Sequence, residues 1–241
     1  MKSTDKNIIN SFKLQDELIP DIWFLDGNTY RMEPEVRDSL LEIVKDYIDF
    51  TKVDIDVEDV TLTGSLANFN WSEFSDVDVH ILVDFEGTNE LFKKYLDSKR
   101  IIWNNLRDVT VKGFDVEVYV QGTHEPHFAS GVYSILYDEW LVEPVMEEEV
   151  VIDSKKVLEK AKQWMEMIDS IENDKNRKEP EDLLVRIDKL KNKLKKYRSC
   201  GLKGAGEYSY ENLTFKFLRR NDYLKKINDI KNELIDKSLT V

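Results

Sequence analysis

The stretch Asp76-Val-Asp-Val-His-Ile-Leu-Val83 alternates polar and apolar residues without a break at its start. Strand side chains point alternately to opposite faces, so the run reads as a strand with Asp76, Asp78 and His80 on one face. Phe114-Asp-Val-Glu-Val-Tyr-Val120 alternates in the same way, with Asp115 and Glu117 sharing a face. A third run, in which Val60, Leu62 and Gly64 alternate with Thr61 and Thr63, predicts a strand entering a Gly-Ser turn. Aspartate is depleted in strands, so two in register on one face need a chemical reason.

The remaining pattern is helical. Pro34 suits a first helical position, and Val36, Leu40, Leu41, Val44, Tyr47 and Ile48 form one stripe over residues 34–50. Residues 89–107 predict a helix carrying Leu91, Tyr95, Ile101, Ile102 and Leu106. After Pro144 the strand signal stops. Residues 154–171 and 181–198 repeat the helical period, the glycine-rich segment Gly201–Gly206 predicts a turn, and a final helix carries Phe217, Leu218, Leu224, Ile227 and Leu234. The fold class expected is α+β. A small mixed-sheet domain with flanking helices occupies residues 1–150, and a basic α-helical domain occupies 151–241, with the boundary near 144–154.

Charge divides along nearly the same line. Residues 1–185 carry 20 Lys and Arg against 41 Asp and Glu, whereas residues 186–241 carry 15 against 7, within a chain of net charge −13. An acidic body repels polyanions unless metal ions or the basic third offset it. Within that third, Lys203, Lys216, Arg219 and Arg220 are candidates to meet phosphates, against the alternative of a solvated helix face. One cysteine, Cys200, excludes an intramolecular disulfide and a Cys-rich zinc site. No apolar run approaches a membrane span, so no membrane partner and a cytoplasmic location are expected. His124 and His127 flank Pro126, which argues against a paired zinc site.

Two carboxylates held close together repel each other, and a divalent cation between them removes that cost. Hard Mg²⁺ suits one or two carboxylates plus substrate phosphates. Glu117, mid-strand, is the preferred third acid over Asp115. Gly64 allows close backbone approach, and Ser65 offers donors to a triphosphate.

Gly64-Ser65, ten residues and then Asp76-Val77-Asp78 resembles the signature of the DNA polymerase β nucleotidyltransferase superfamily, at the spacing of its minimal nucleotidyltransferase branch. Val116-Glu117-Val118 resembles that family's later strand motif. Trp71, Tyr133-Ser-Ile-Leu and Gly206-Glu-Tyr-Ser-Tyr-Glu-Asn-Leu-Thr-Phe-Lys are similar to nucleotidyltransferase-like proteins of large tailed phages. The resemblance implies a mixed sheet and two Mg²⁺ ions (or Mn²⁺) held by the catalytic residues Asp76, Asp78 and Glu117. It also implies a nucleoside triphosphate bound near Gly64 and Ser65, with Lys216 and Arg219 as further nucleotide-binding candidates. The acceptor stays open: an RNA or DNA end, a protein hydroxyl or a small molecule. Two alternatives accompany this reading. One is alarmone-type pyrophosphate transfer; the other is a nucleotide-binding or partner-neutralising module without turnover. An exposed Gly64 turn predicts that Gly64→Val spares the fold while losing nucleotide binding. His80 is expected to be structural, and Trp71 and Phe74 to be core more often than base-stacking.

Overall fold

Val77, Val79, Ile81 and Val83 are all at most 3% exposed, while Asp78, His80 and Leu82 between them are half-buried, so the alternation read in the sequence is the alternation of a real strand. The structure, a computed structural model, describes residues 3–125, 129–146 and 150–240. The elements are α1 (Ser3–Asn10), β1 (Trp23–Asp26), β2 (Thr29–Met32), α2 (Pro34–Thr51), β3 (Val57–Thr63), β4 (Val77–Val83), α3 (Glu90–Leu106), β5 (Thr110–Val111), β6 (Phe114–Gly122), β7 (Val132–Ser134), β8 (Glu139–Val142), α4 (Ser154–Asp174), α5 (Pro180–Ala205), α6 (Tyr210–Arg220) and α7 (Tyr223–Leu239). The fold is therefore mixed α and β, a small sheet with several helices. No described helix is long and apolar enough to cross a membrane. Pro126 and His127 lie outside the described residues.

Two compact units divide the chain: Lys13–Glu148, and Met1–Phe12 together with Glu149–Val241. The sequence expectation places residues 1–12 with the sheet. They belong with the helices because α1 packs on α6, with Ile8, Ile9 and Phe12 buried.

In the first unit the main sheet runs β5-β6-β4-β3-β7-β8 among the described residues. β4 pairs antiparallel with β3 and parallel with β6, and the crossover between β4 and β6 carries α3. One face of β4 and β6 meets a core that includes Leu40, Val44 and Tyr47 of α2 and Trp103 of α3. Tyr47 and Trp103 meet edge to face at 6.2 Å. Pro34 opens α2 and the left-handed Lys52 (φ 61°) closes it. Asn104 of α3 donates through Nδ2 to the Val118 carbonyl and accepts from the Val118 N–H, satisfying backbone that β5 is too short to reach.

The structure departs from the sequence expectations in four places here. Leu91, Tyr95, Ile101, Ile102 and Leu106 of α3 are exposed, and the helix buries Leu96 and Trp103 instead. A single large indole, anchored through Nε1 to Asp46, sets the helix rotation more strongly than the count of apolar residues. The strands β1, β2, β7 and β8 were also unforeseen. Each is three or four residues long, too short for a period to register. In the second unit, α5 runs through Gly201 and Gly204 to Ala205, so the expected turn is helix. Gly201 is there for proximity: a Cβ on it would lie 2.5 Å from Glu211 Cβ at the start of α6. The expected final helix is two, α6 and α7, broken at Asn221-Asp222 where Asp222 adopts φ 60°. A core of this unit gathers Ile168 and Ile171 of α4, Leu183 and Ile187 of α5, and Ile227, Ile230 and Leu234 of α7.

Candidate functional site

β3 ends at Thr63, the register partner of Asp78, and the chain then turns sharply at Gly64 (φ 77°, ψ −159°). That backbone conformation is essentially restricted to glycine. A second reason excludes any side chain. A Cβ on Gly64 would stand 2.1 Å from Asp78 Oδ2. The Asp78 carboxylate thus rests against the bare Cα of the turn. The turn is therefore constrained by its backbone conformation and by packing against Asp78, and the expectation that Gly64→Val spares the fold fails on both counts.

The segment between the turn and β4 is folded back on itself. Ser65 opens a short 3₁₀ turn, Ser65–Ala67, and its Oγ donates to Ser75 Oγ at 2.8 Å. Ser75 Oγ in turn accepts from the Ser72 N–H at 3.0 Å. Leu66 and Ala67 are fully buried, and the Leu66 carbonyl accepts from Trp23 Nε1 at 2.7 Å. Trp23 stacks on Trp140 with centroids 4.7 Å apart. The interval between Gly-Ser and Asp-x-Asp is consequently a braced loop. Trp71 braces it too, donating to the Glu17 carbonyl at 2.8 Å, and packs against the core with its ring partly buried.

Asp76 immediately precedes β4, and Asp78 is its second residue. Across the parallel ladder Asp78 stands opposite Glu117 of β6. Asp115 lies one residue beyond the end of that ladder; it pairs with Thr110 of β5 and is exposed. The other groups on this face are His80, Tyr119 and Gln121. His80 Nδ1 lies 2.7 Å from Gln121 Oε1, and its ring stacks on Tyr119 at 5.0 Å. Tyr119 donates its hydroxyl to Glu117 Oε2. Burial, then that carboxylate and the nearby Asp78, push the Tyr119 phenol well above its ordinary value. Arg100 of α3 places its guanidinium 5.3 Å from the Tyr119 ring centre, bringing a cation to this acidic face.

The donor set offers hard carboxylate oxygens, which suit Mg²⁺ or Mn²⁺ rather than a softer metal. Asp78 and Glu117 stand abreast on neighbouring strands, with Asp76 two residues before Asp78. Among the described residues, however, no three His, Cys, Asp or Glu side chains converge on one point. Glu117 is turned along its own strand toward Tyr119. The fit extends to the paired carboxylates and the glycine cradle beside them.

Lys216 and Arg219 belong to α6 in the helical unit. Lys216 Nζ lies 3.5 Å from Glu207 Oε2. Burial, aided by Arg220 and Arg219, drives its ammonium below the ordinary lysine value, with Glu207 opposing. No family model matches the chain, and no curated protein matches it.

Sequence reasoning overlooked Tyr119, Arg100 and Ser75. Tyr119 was detectable, since it follows Glu117 by two residues in an alternating strand. Arg100 arrives from a helix and Ser75 from a folded loop, so neither carries a local signal.

Proposed function

We propose that this protein is a divalent-metal-dependent nucleotidyltransferase of the polymerase β type, moving a nucleotidyl group from a nucleoside triphosphate to a hydroxyl acceptor. One observation carries the reading: Asp78 is seated against the side-chain-free Gly64 turn with Glu117 abreast of it on the parallel strand. Asp76, Asp78 and Glu117 would hold the cations, which when bound neutralise phosphate charge and lower the pKa of the acceptor hydroxyl. Gly64 lets backbone approach the triphosphate, and Ser65 supplies its N–H there. The acceptor oxygen bonds to the α-phosphorus as the bond to pyrophosphate breaks, and its proton passes to one of the paired carboxylates. Tyr119 keeps Glu117 in a single orientation. Lys216 and Arg219 of the helical unit are proposed to meet a polyanionic acceptor.

The specific feature favouring a second reading, nucleotide binding without turnover, is the engagement of Glu117 by Tyr119, which leaves two acids rather than three side by side. Pyrophosphate release from each of the four NTPs with Mg²⁺, in the presence of RNA, protein and small hydroxyl acceptors, separates the two. Release by wild type and its loss in Asp78→Asn supports transfer. Mg²⁺-NTP binding without release supports the binding module.

A further inference from the structure

In the helical unit, α5, α6 and α7 enclose a cleft of about 390 Å³, within the roughly 300–1,000 Å³ usual for small-molecule sites. Its floor is apolar. Leu194 and Ile227 are 5% and 3% exposed, and Phe215 and Leu224 are half-buried beside them. Its rim is cationic. Lys191, Lys195 and Arg198 follow one another at intervals of four and three along α5, so they share one helical face. Among the described residues, none lining the cleft is acidic.

That absence contrasts with the rest of the helical unit. Arg186 is paired with Asp174, Lys226 with Asp169 and Glu172, and Lys231 with Asp188. Two of the cleft cations are held by neutral groups instead. Lys191 donates to Asn228 Oδ1 at 2.6 Å, and Arg198 Nε donates to Asn212 Oδ1 at 3.1 Å. The Arg198 guanidinium also lies 4.4 Å from the Phe215 ring centre. Desolvation depresses Arg198 below its ordinary value, with Arg219 adding to the effect and Glu207 opposing it. A cation already removed from part of its water gains more from an arriving anion than a fully hydrated one. Lys191, Lys195 and Arg198 line the cleft together, Glu207 offsets Arg198 from outside the lining, and the apolar floor sets the shape of an anion that would complete the set.

We propose that this cleft binds a small amphipathic organic anion, an apolar body bearing one phosphate or carboxylate head. The head meets Lys195 and Arg198, and the body lies over Phe215, Leu224 and Ile227. Phosphate and carboxylate heads share this chemistry, and the body distinguishes an aromatic source from an alkyl one.

Two probes test it on the full chain by calorimetry and amide NMR: 1-naphthyl phosphate and decanoate, each against its neutral counterpart, 1-naphthol and 1-decanol. At least one anion is expected to bind, with shifts concentrated at residues 191–198, 215 and 224–228. The neutral counterpart should bind about 10-fold more weakly, the size of one charge-assisted hydrogen bond. Lys195 is exposed, so Lys195→Glu should keep the native melting profile while weakening the anion by about 10-fold or more. Binding of the naphthyl compound alone identifies a flat aromatic ligand, and of decanoate alone an alkyl one. Absence of binding by both anions, equal affinity for the neutral compounds, or unchanged affinity in Lys195→Glu overturns the proposal.

Discussion

Gly64→Ala asks two separable things of the structure. The backbone at φ 77°, ψ −159° must be kept by a residue with a Cβ, a strain of about 1–3 kcal/mol. That Cβ starts 2.1 Å from Asp78 Oδ2 and 3.1 Å from Asp78 Cγ, so the carboxylate must swing away. Forcing a short side chain off its rotamer costs about 1 kcal/mol. Against this, alanine narrows the unfolded ensemble and returns about 0.4–1 kcal/mol. The expected net loss is about 2 kcal/mol, or roughly 4–8 °C in Tm for a chain of this length. Urea unfolding of wild type, Gly64→Ala, Asp78→Ala and the double variant closes a cycle. With the carboxylate gone, only backbone strain remains, so the glycine substitution should cost about 1 kcal/mol less in the Asp78→Ala background. Additivity within about 0.3–0.5 kcal/mol would refute the contact between Asp78 and the turn. A neutral Gly64→Ala would refute the left-handed conformation itself.

Three further outcomes are expected. Asp76→Asn and Asp78→Asn should leave the metal-free protein as stable as wild type or more so, because like charges side by side on this face repel, and both should lose the thermal stabilisation that Mg²⁺ plus NTP gives wild type; stabilisation undiminished in both would sink the metal assignment. Asp59 is 7% exposed, and burial raises its pKa despite hydrogen bonds from Ser134 Oγ and the Val60 N–H. A carboxyl raised in the folded state carries its penalty above the folded pKa and sheds it as pH falls toward the unfolded value. Wild type should therefore gain on Asp59→Asn in melts taken from pH 7 down to pH 4, whereas parallel curves would contradict the burial effect. Replacing Lys216 and Arg219 with Ala should weaken binding of a polyanionic acceptor most strongly at low salt, measured by filter binding from 50 to 200 mM salt; unchanged affinity returns both residues to a structural role.

The legible part of this protein was whatever its residues say about their immediate neighbours. β4 and β6 announced themselves because period-2 alternation persists for seven or more residues, and α2 because its stripe agrees with its proline start. α3 was legible as a helix but not in its rotation. Trp103 and its bond to Asp46 decide that, and Asp46 is 57 residues away. The helix through Gly201 was hidden because a glycine placed for close helix contact looks like one placed for a turn. At the site, the spacing from Gly64 to Asp78 pointed to the pair that meets. The tether from Tyr119 to Glu117 and the approach of Arg100 depend on strand pairing and a crossover helix, which no local pattern encodes.

The parallel ladder between β4 and β6 also governs how such a chain can diverge. Seven consecutive register pairs, from Val77 with Val116 to Val83 with Gly122, fix Asp78 beside Glu117. The thirty residues between the two strands take no part in that alignment. Insertions or deletions in the loop before α3 should therefore accumulate without disturbing the carboxylates, since a longer loop adds little closure entropy. A single residue inserted between Val116 and Val118 has the opposite effect. It would turn Glu117 toward the core and put the inserted residue opposite Asp78. Length variation among descendants of this sequence should be common on one side of Phe114 and nearly forbidden on the other.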